Sequence, residues 1–198
     1  MIHELEVYAI RLFREDLAMR TALCALATLL AVVAPSAQTK LPPPGTSLDL
    51  TAAEREAIVK AYPGRRGTPM KSIDAGKHVI QLWVDQLKAG EGRVDRGEMH
   101  TEVSEVYVIL EGTATLVTGG RLVDAEVNSG LGSPTYSGKY EGGLTRQVRA
   151  GDMVVNPPGT VHSWRSIDSP KLIYMNVWID PEKKLPAAYI DPTLKRNR

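Results

Sequence analysis

Short runs rich in Val, Ile, Tyr, Trp and Thr follow one another through the second half of the chain, separated by Gly, Pro or Asp. Runs of this kind, bounded by turn residues, are typical of β-strands. Because many short strands occur with no helical pattern between them, the sequence predicts an all-β barrel or sandwich. The predicted strands cover residues 78–87, 104–118, 144–149, 152–156, 161–166 and 171–179.

Residues 119–143 interrupt this pattern. The segment begins at Gly119-Gly120, ends at Gly142-Gly143 and is rich in Gly and Ser. This composition predicts a long loop over one end of the barrel. Loops of such length inside a compact domain are usually either functional or disordered, and the sequence leaves both alternatives open.

One helical pattern precedes the strands. Thr51 and Glu54 have the spacing of a capping box, good helix formers continue to Ala61, and Pro63-Gly64 ends the run. We therefore expect a domain over residues 51–190 with one N-terminal helix packed outside the barrel. A Pro-rich extended arm at 38–50 and a polar tail at 191–198 are predicted to flank it.

The N-terminal segment has the order of a secretory leader. Met19-Arg20-Thr21 provides a short positive end, a mostly apolar run follows to Ala34, and small residues surround Ala37. A positive end, about 7 to 15 apolar residues and a small-residue cleavage site define a signal peptide. We expect residues 1–37 to be the leader, with translation starting at Met19, and the mature protein to be periplasmic or secreted. A membrane span is the alternative, but it needs roughly 20 apolar residues.

Composition narrows the classes of partner. Hydrophobic residues make up 43% and charged residues 24% of the chain, and the formal net charge is +1. This profile is that of a soluble globular protein and carries no basic patch for nucleic acid. The only cysteine is Cys24, inside the expected leader, so neither a disulfide framework nor a thiol nucleophile is expected after cleavage. We expect no nucleic-acid partner, and no membrane association once the leader is removed.

Two stretches carry regularly spaced Gly, His, Glu and Pro residues. The first reads Gly92, five residues, Glu98-Met99-His100, four residues, Glu105, six residues, Gly112. The second reads Gly151, five residues, Pro157-Pro158-Gly159, two residues, His162. These spacings resemble the two motifs of the cupin superfamily, with Glu98 at the position of the first histidine and Ser166 at that of the closing asparagine. The resemblance implies an all-β, cupin-type double-stranded β-helix, a jelly-roll barrel that commonly forms homodimers.

The motif residues point to a metal site. Glu98 and His100 are two apart, so on a strand their side chains project from one face. Two imidazoles with one or two carboxylates suit one divalent ion of manganese, iron, zinc or nickel. The expected metal ligands are therefore Glu98, His100, Glu105 and His162. Alternatives remain: Glu98 facing solvent leaves three ligands, Glu102 competes with it, and either histidine alone also fits a structural role.

Two aromatic residues accompany these ligands. Tyr107 shares a strand face with Glu105, and Trp164 shares one with His162. Both fit a pocket lining beside the metal, and both equally fit core filling. Because cupins catalyse many different reactions, the fold alone does not identify a reaction. We expect either a metal-dependent enzyme, of dioxygenase, isomerase or related type, acting on a small oxygen-rich molecule, or a cupin that binds or senses a small ligand without turnover. A third alternative is a dimerising scaffold whose metal site is vestigial.

Overall fold

Two antiparallel sheets form the body of the protein in a computed structural model that describes residues 47–64, 69–128, 133–185, 187 and 189–195. The expected leader lies outside the described residues. The elements in chain order are α1 (Ala52–Ala61), β1 (Lys71–Asp74), β2 (Val79–Lys88), β3 (Arg96–His100), β4 (Ser104–Glu111), β5 (Thr113–Thr118), β6 (Arg121–Asn128), β7 (Thr135–Glu141), β8 (Leu144–Arg149), β9 (Met153–Asn156), β10 (His162–Ile167), β11 (Lys171–Asp180) and α2 (Pro192–Lys195).

The strand order identifies the topology. One sheet runs β1-β2-β11-β4-β9 and the other runs β6-β7-β3-β10-β5-β8. From β2 to β5 and again from β8 to β11 the chain crosses to the other sheet at every strand, and β5 and β8 pair within one sheet. This is the double Greek key of a jelly roll, the architecture that cupins share. The predicted fold class, all-β with a double-stranded β-helix, is therefore confirmed from this chain's own connectivity.

The core lies between the two sheets because strand side chains alternate in direction. On β4, Glu105, Tyr107 and Ile109 are buried, while the residues between them are more exposed. The largest buried cluster takes residues from both sheets: Leu87, Tyr107, Ile109, Ala114, Leu116, Val148, Val154, Trp164, Ile167, Leu172 and Tyr174. Tyr107 and Trp164, expected at the pocket or in the core, both belong to this cluster.

The N-terminal helix α1 has the predicted cap. The Thr51 hydroxyl accepts from the backbone N–H of Glu54, and the Glu54 carboxylate accepts from the backbone N–H of Thr51. Ile58 of α1 is fully buried in a second cluster, which also contains Met70, Val84, Ile173 and Leu194. Leu194 belongs to α2, so ordered structure extends into the segment expected to be a polar tail. No helix of the described ranges is long and apolar enough to span a membrane.

The prediction of a long loop at 119–143 is wrong. Most of the segment forms a hairpin of β6 and β7, and β7 also pairs with β3. The hydrophobic pattern did not reveal these strands because β6 buries none of its residues and β7 buries only Gly138. Pairing with β3, far away in the sequence, stabilises the hairpin, and no local signal reports such pairing.

The motif glycines permit close approach of backbone segments. A Cβ at Gly92 would lie 2.6 Å from the carbonyl oxygen of Arg165. At Gly112 it would lie 2.1 Å from the carbonyl oxygen of Lys171, and the backbone there has φ +87°. Glycine is the residue that accepts both positive φ and such approach. The glycines that bracket the first motif therefore hold that motif against β10 and the start of β11.

Candidate metal centre

Three of the four expected ligands meet inside the barrel. His100 ends β3, Glu105 is the second residue of β4 and His162 begins β10, and all three are at most 5% exposed. One potential ligand atom from each lies within 4.8 Å of the others. The turn Pro157-Pro158-Gly159 helps to bring the motifs together, because the Gly159 N–H donates to the His100 carbonyl at 2.7 Å.

Glu105 stands between the two imidazoles. The Nε2 atom of His162 lies 3.1 Å from Oε2 of Glu105, and Nε2 of His100 lies 3.6 Å from Oε1. Ligand atoms bonded to one zinc-sized ion at about 2.0 to 2.2 Å lie roughly 3 to 3.5 Å apart. The two nitrogen–oxygen distances are therefore close to those expected around a single small cation.

The opposite nitrogen of each imidazole is held by a hydrogen bond. Nδ1 of His162 lies 3.0 Å from the carbonyl oxygen of Thr160, which only accepts, so Nδ1 carries the hydrogen. In the neutral ring, Nε2 then presents a lone pair to the carboxylate, and among the described residues it has no hydrogen-bond partner. A histidine that donates from one nitrogen and coordinates through the other is the usual arrangement at metal sites. The donor set thus fits a cation.

His100 follows the same pattern. Its Nδ1 lies 3.1 Å from the hydroxyl of Thr135, at the start of β7. Burial lowers the pKa of His100 below its usual value, although the charge of Glu105 opposes this effect. A lowered pKa keeps the ring neutral at pH 7, and a neutral imidazole is the form that coordinates metal. The hairpin that was predicted as a loop therefore supplies a partner of a candidate ligand.

Two further side chains hold the Glu105 carboxylate. Asn176 of β11 donates from Nδ2 to Oε1 at 2.8 Å, and the Tyr107 hydroxyl donates to Oε2 at 3.2 Å. The Tyr107 ring also contacts His162 edge-on and stacks on Trp164, with centroids 6.0 and 5.4 Å apart. Tyr107 is therefore both a core residue and a neighbour of the site, and Trp164 stacks on Tyr107 and lines one cleft with His162 and Glu98.

Glu98 lies outside the trio formed by His100, Glu105 and His162. It is opposite His162 in the β3–β10 register, but its carboxylate forms an ion pair with Arg93 at 3.2 Å and its side chain is 25% exposed. Its charge acts on His100 by raising that residue's pKa, against the stronger effect of burial. Glu102, considered as a competing ligand, forms an ion pair with Lys184 instead.

The sequence did not predict that Asn156 and Asn176 lie at the site. Asn176 acts on Glu105 across 71 positions of sequence, and Asn156 lies opposite Glu105 in the β4–β9 pair. A signal was present for Asn176, because it is a polar residue at a buried position of β11 between Tyr174 and Trp178. Thr135 and Thr160 carried no such signal.

Comparisons with known proteins add structural neighbours. No protein-family model matches the sequence, and no curated relative was found. Solved structures to which this chain is similar include a Bacillus halodurans protein at 16% identity, covering 80% of this chain and 100% of that one, with a TM-score of 0.44. A double-stranded β-helix protein from Klebsiella pneumoniae is 14% identical, with coverage of 76% and 100% and a TM-score of 0.41. An RmlC-like cupin from Methanocaldococcus jannaschii is 16% identical, with coverage of 62% and 84% and a TM-score of 0.35.

By its own strand order and the position of its two motifs, the chain has the cupin-type double-stranded β-helix fold. Within that class it carries a buried His-Glu-His trio, with a glutamate paired to arginine at the position of the first motif histidine.

Proposed function

We propose that the protein binds one divalent transition-metal ion through His100, Glu105 and His162. The convergence of both Nε2 atoms on the Glu105 carboxylate carries this proposal. Mixed nitrogen and oxygen donors suit manganese, iron, zinc or nickel. Glu98 is a candidate fourth ligand, which would have to exchange its bond with Arg93 for one to the ion.

The chain's own residues prepare the site for a small oxygen-containing ligand. Asn176 and Tyr107 fix the direction of the Glu105 carboxylate, and the Thr160 carbonyl fixes the hydrogen of His162 on Nδ1. Three protein ligands leave further coordination positions, where a bound metal supplies Lewis-acid chemistry. We propose on this basis a metal-dependent enzyme acting on a small oxygen-rich molecule.

A second candidate function is binding or sensing of a small ligand without turnover. The glutamate at position 98, whose carboxylate pairs with Arg93, favours this alternative because it changes the usual donor set of the cupin motif. Turnover distinguishes the two. Metal-loaded protein that binds a ligand and returns it chemically unchanged, in the presence and absence of oxygen, supports the sensing function.

Metal analysis of His162→Ala tests the site itself. Wild-type protein purified without chelator is expected to contain close to one ion per chain, and zinc should bind the variant at least about 100-fold more weakly because a direct ligand is lost. His78→Ala is the matched control, since His78 lies outside the trio and should leave zinc affinity unchanged. Equal metal content in wild type and His162→Ala would show that the ion binds elsewhere.

A further inference from the structure

Two rows of side chains cross the inner face of the first sheet beside the trio. The strand registers place Gln81, Trp178, Glu105 and Asn156 side by side in one row, here called the site row. The next row contains Trp83, Asn176, Tyr107 and Val154. Opposite residues in antiparallel strands have Cβ atoms about 4.5 to 5.5 Å apart and project from the same face. The site row therefore surrounds the Glu105 carboxylate on both sides.

Several polar atoms in these rows have no hydrogen-bond partner within the part of the chain that the structure describes. They are both side-chain atoms of the Asn156 amide, Oδ1 of Asn176, and Nε1 of Trp83 and of Trp178. The four residues are at most 8% exposed. The orientation of the Asn176 amide follows from its bond to Glu105, so Oδ1 is the atom left over.

Three of these four residues neighbour a proposed metal ligand, and Trp83 contacts one of the three, Trp178. The Trp178 ring contacts the His100 ring with centroids 4.6 Å apart, and the Trp83 ring lies 5.1 Å from that of Trp178. Asn156 lies opposite Glu105 itself. A buried polar group without a partner costs roughly 1 to 3 kcal/mol, and most buried groups in native proteins are paired. Their concentration around one carboxylate therefore indicates a surface that takes its hydrogen bonds from a bound molecule.

The hydrogen-bond donors, acceptors and charges of the two rows indicate which class of ligand would bind there. The indole groups and the Asn156 Nδ2 donate, whereas the two amide oxygens accept, so the ligand must offer both acceptor oxygens and a hydroxyl. Neither row contains a cationic side chain. A divalent ion with Glu105 and two neutral imidazoles leaves a charge of about +1, which one carboxylate neutralises.

We propose that the site row, together with Trp83 and Asn176, forms the recognition surface for a small monoanionic hydroxycarboxylate whose carboxylate binds the metal. Asn156 bonds its hydroxyl group. This inference rests on the proposed metal function, because the ion supplies the positive charge that the rows lack.

Calorimetric titration of the zinc-loaded protein tests the ligand class. Glycolate is the probe, acetate lacks its hydroxyl group and ethylene glycol lacks its carboxylate. We expect glycolate to bind at least about tenfold more tightly than acetate, since acetate leaves a buried amide unpaired. Ethylene glycol should bind weakest, because it brings no charge to the ion.

Asn156→Leu tests the residue. Leucine has the same side-chain branching as asparagine and removes both unpaired atoms, so the variant should have a melting temperature close to that of wild type. Its zinc affinity should stay within about twofold of wild type, and its glycolate affinity should fall at least about tenfold to that of acetate. Asn128→Leu is the matched control at an exposed strand position and should change none of these values.

The outcomes separate the two proposals. Wild-type protein that binds no zinc would refute the metal function, and the ligand inference with it. Zinc binding with equal affinities for glycolate and acetate would refute the ligand inference alone. The same holds if Asn156→Leu folds, binds zinc and retains full glycolate affinity. The comparison of glycolate with acetate needs no variant, so it decides the ligand class even if Asn156→Leu does not fold.

Discussion

Glu105 is the residue on which the site depends most. Its two oxygen atoms lie within 3.6 Å of two imidazoles, an amide and a phenol, and its side chain is 3% exposed. A carboxylate in such surroundings has few rotamers open to it, so its direction is set before any ion arrives. Preorganisation of this kind lowers the entropic cost of binding.

Glu98 allows a graded test of the ligand set. Glu98→Gln keeps the shape and removes the charge, and we expect zinc affinity to stay within about twofold of wild type, because Arg93 holds the Glu98 carboxylate away from the trio. A fall of about 10- to 100-fold would instead identify Glu98 as a fourth ligand. Competitive titration with zinc and manganese measures the change. Glu56→Gln, at an exposed helix position, serves as the control. Unchanged affinity in Glu98→Gln would mean that the site has three protein ligands.

At the residue scale, sequence analysis identified the trio because each member stands at a fixed position of a motif. The polar residues around the trio could not be predicted in the same way. Asn176 and Thr135 approach their partners through strand pairing over 71 and 35 positions of sequence, and no spacing rule encodes such contacts. Glu98 was expected at the ligand centre from its motif position, but the ion pair with Arg93 depends on how the chain before β3 folds back.

A buried ion pair joins helix α1 to the barrel. Lys71 on β1 is 1% exposed, and its Nζ donates to both oxygens of Glu54 at 3.0 and 2.8 Å and to the Asp49 carbonyl at 2.7 Å. Burial raises the pKa of Glu54, but hydrogen bonds from Lys71 and from Thr51 outweigh it and hold that pKa below the ordinary 4.5. The pair therefore stabilises the folded state most when Glu54 is ionised.

Lys71→Met should lower the free energy of unfolding by on the order of 3 kcal/mol, because it leaves Glu54 without its cation. Since the Glu54 pKa is lowered on folding, its contribution is present above pH 4.5 and disappears as the pH falls below that value. Urea unfolding at pH 7 and at pH 3.5 measures both effects, with exposed Lys77→Met as control. The difference between wild type and Lys71→Met should shrink at the lower pH, and a constant difference would contradict the assigned role.

Among the elements, the long strands with buried alternation were predictable, and the β6–β7 hairpin was not. Strands β2, β4 and β11 are rich in Val, Ile, Leu, Tyr and Trp on both faces, and this composition predicts strands. Strand β6 has fewer such residues and buries none of them. The predicted strand at 104–118 proved to be two, because Gly112 with positive φ turns the chain between β4 and β5.

At the scale of the whole molecule, many short strands together with the motif spacing predicted the jelly roll. The expected cellular location is a separate matter, because it depends on the leader sequence alone. We propose export, with cleavage near Ala37. Intact-mass analysis of protein from the native host should show a mature chain that begins near Gln38 and is recovered outside the cytoplasm. A cell-envelope protein that still carries Leu29 and Leu30 would contradict this proposal.

The burial of the trio affects the rate at which a bound ion is exchanged. Ligands that are at most 5% exposed are expected to exchange an ion more slowly than exposed ligands, because neighbouring side chains must first move aside. For the proposed site, the occupant is then set by the ions present while the barrel closes around Glu105, ahead of the equilibrium order of affinities. Protein refolded in manganese and later moved into zinc should keep manganese far longer than an open site would. The metal that the protein carries would thus depend on the ions that were present when it folded.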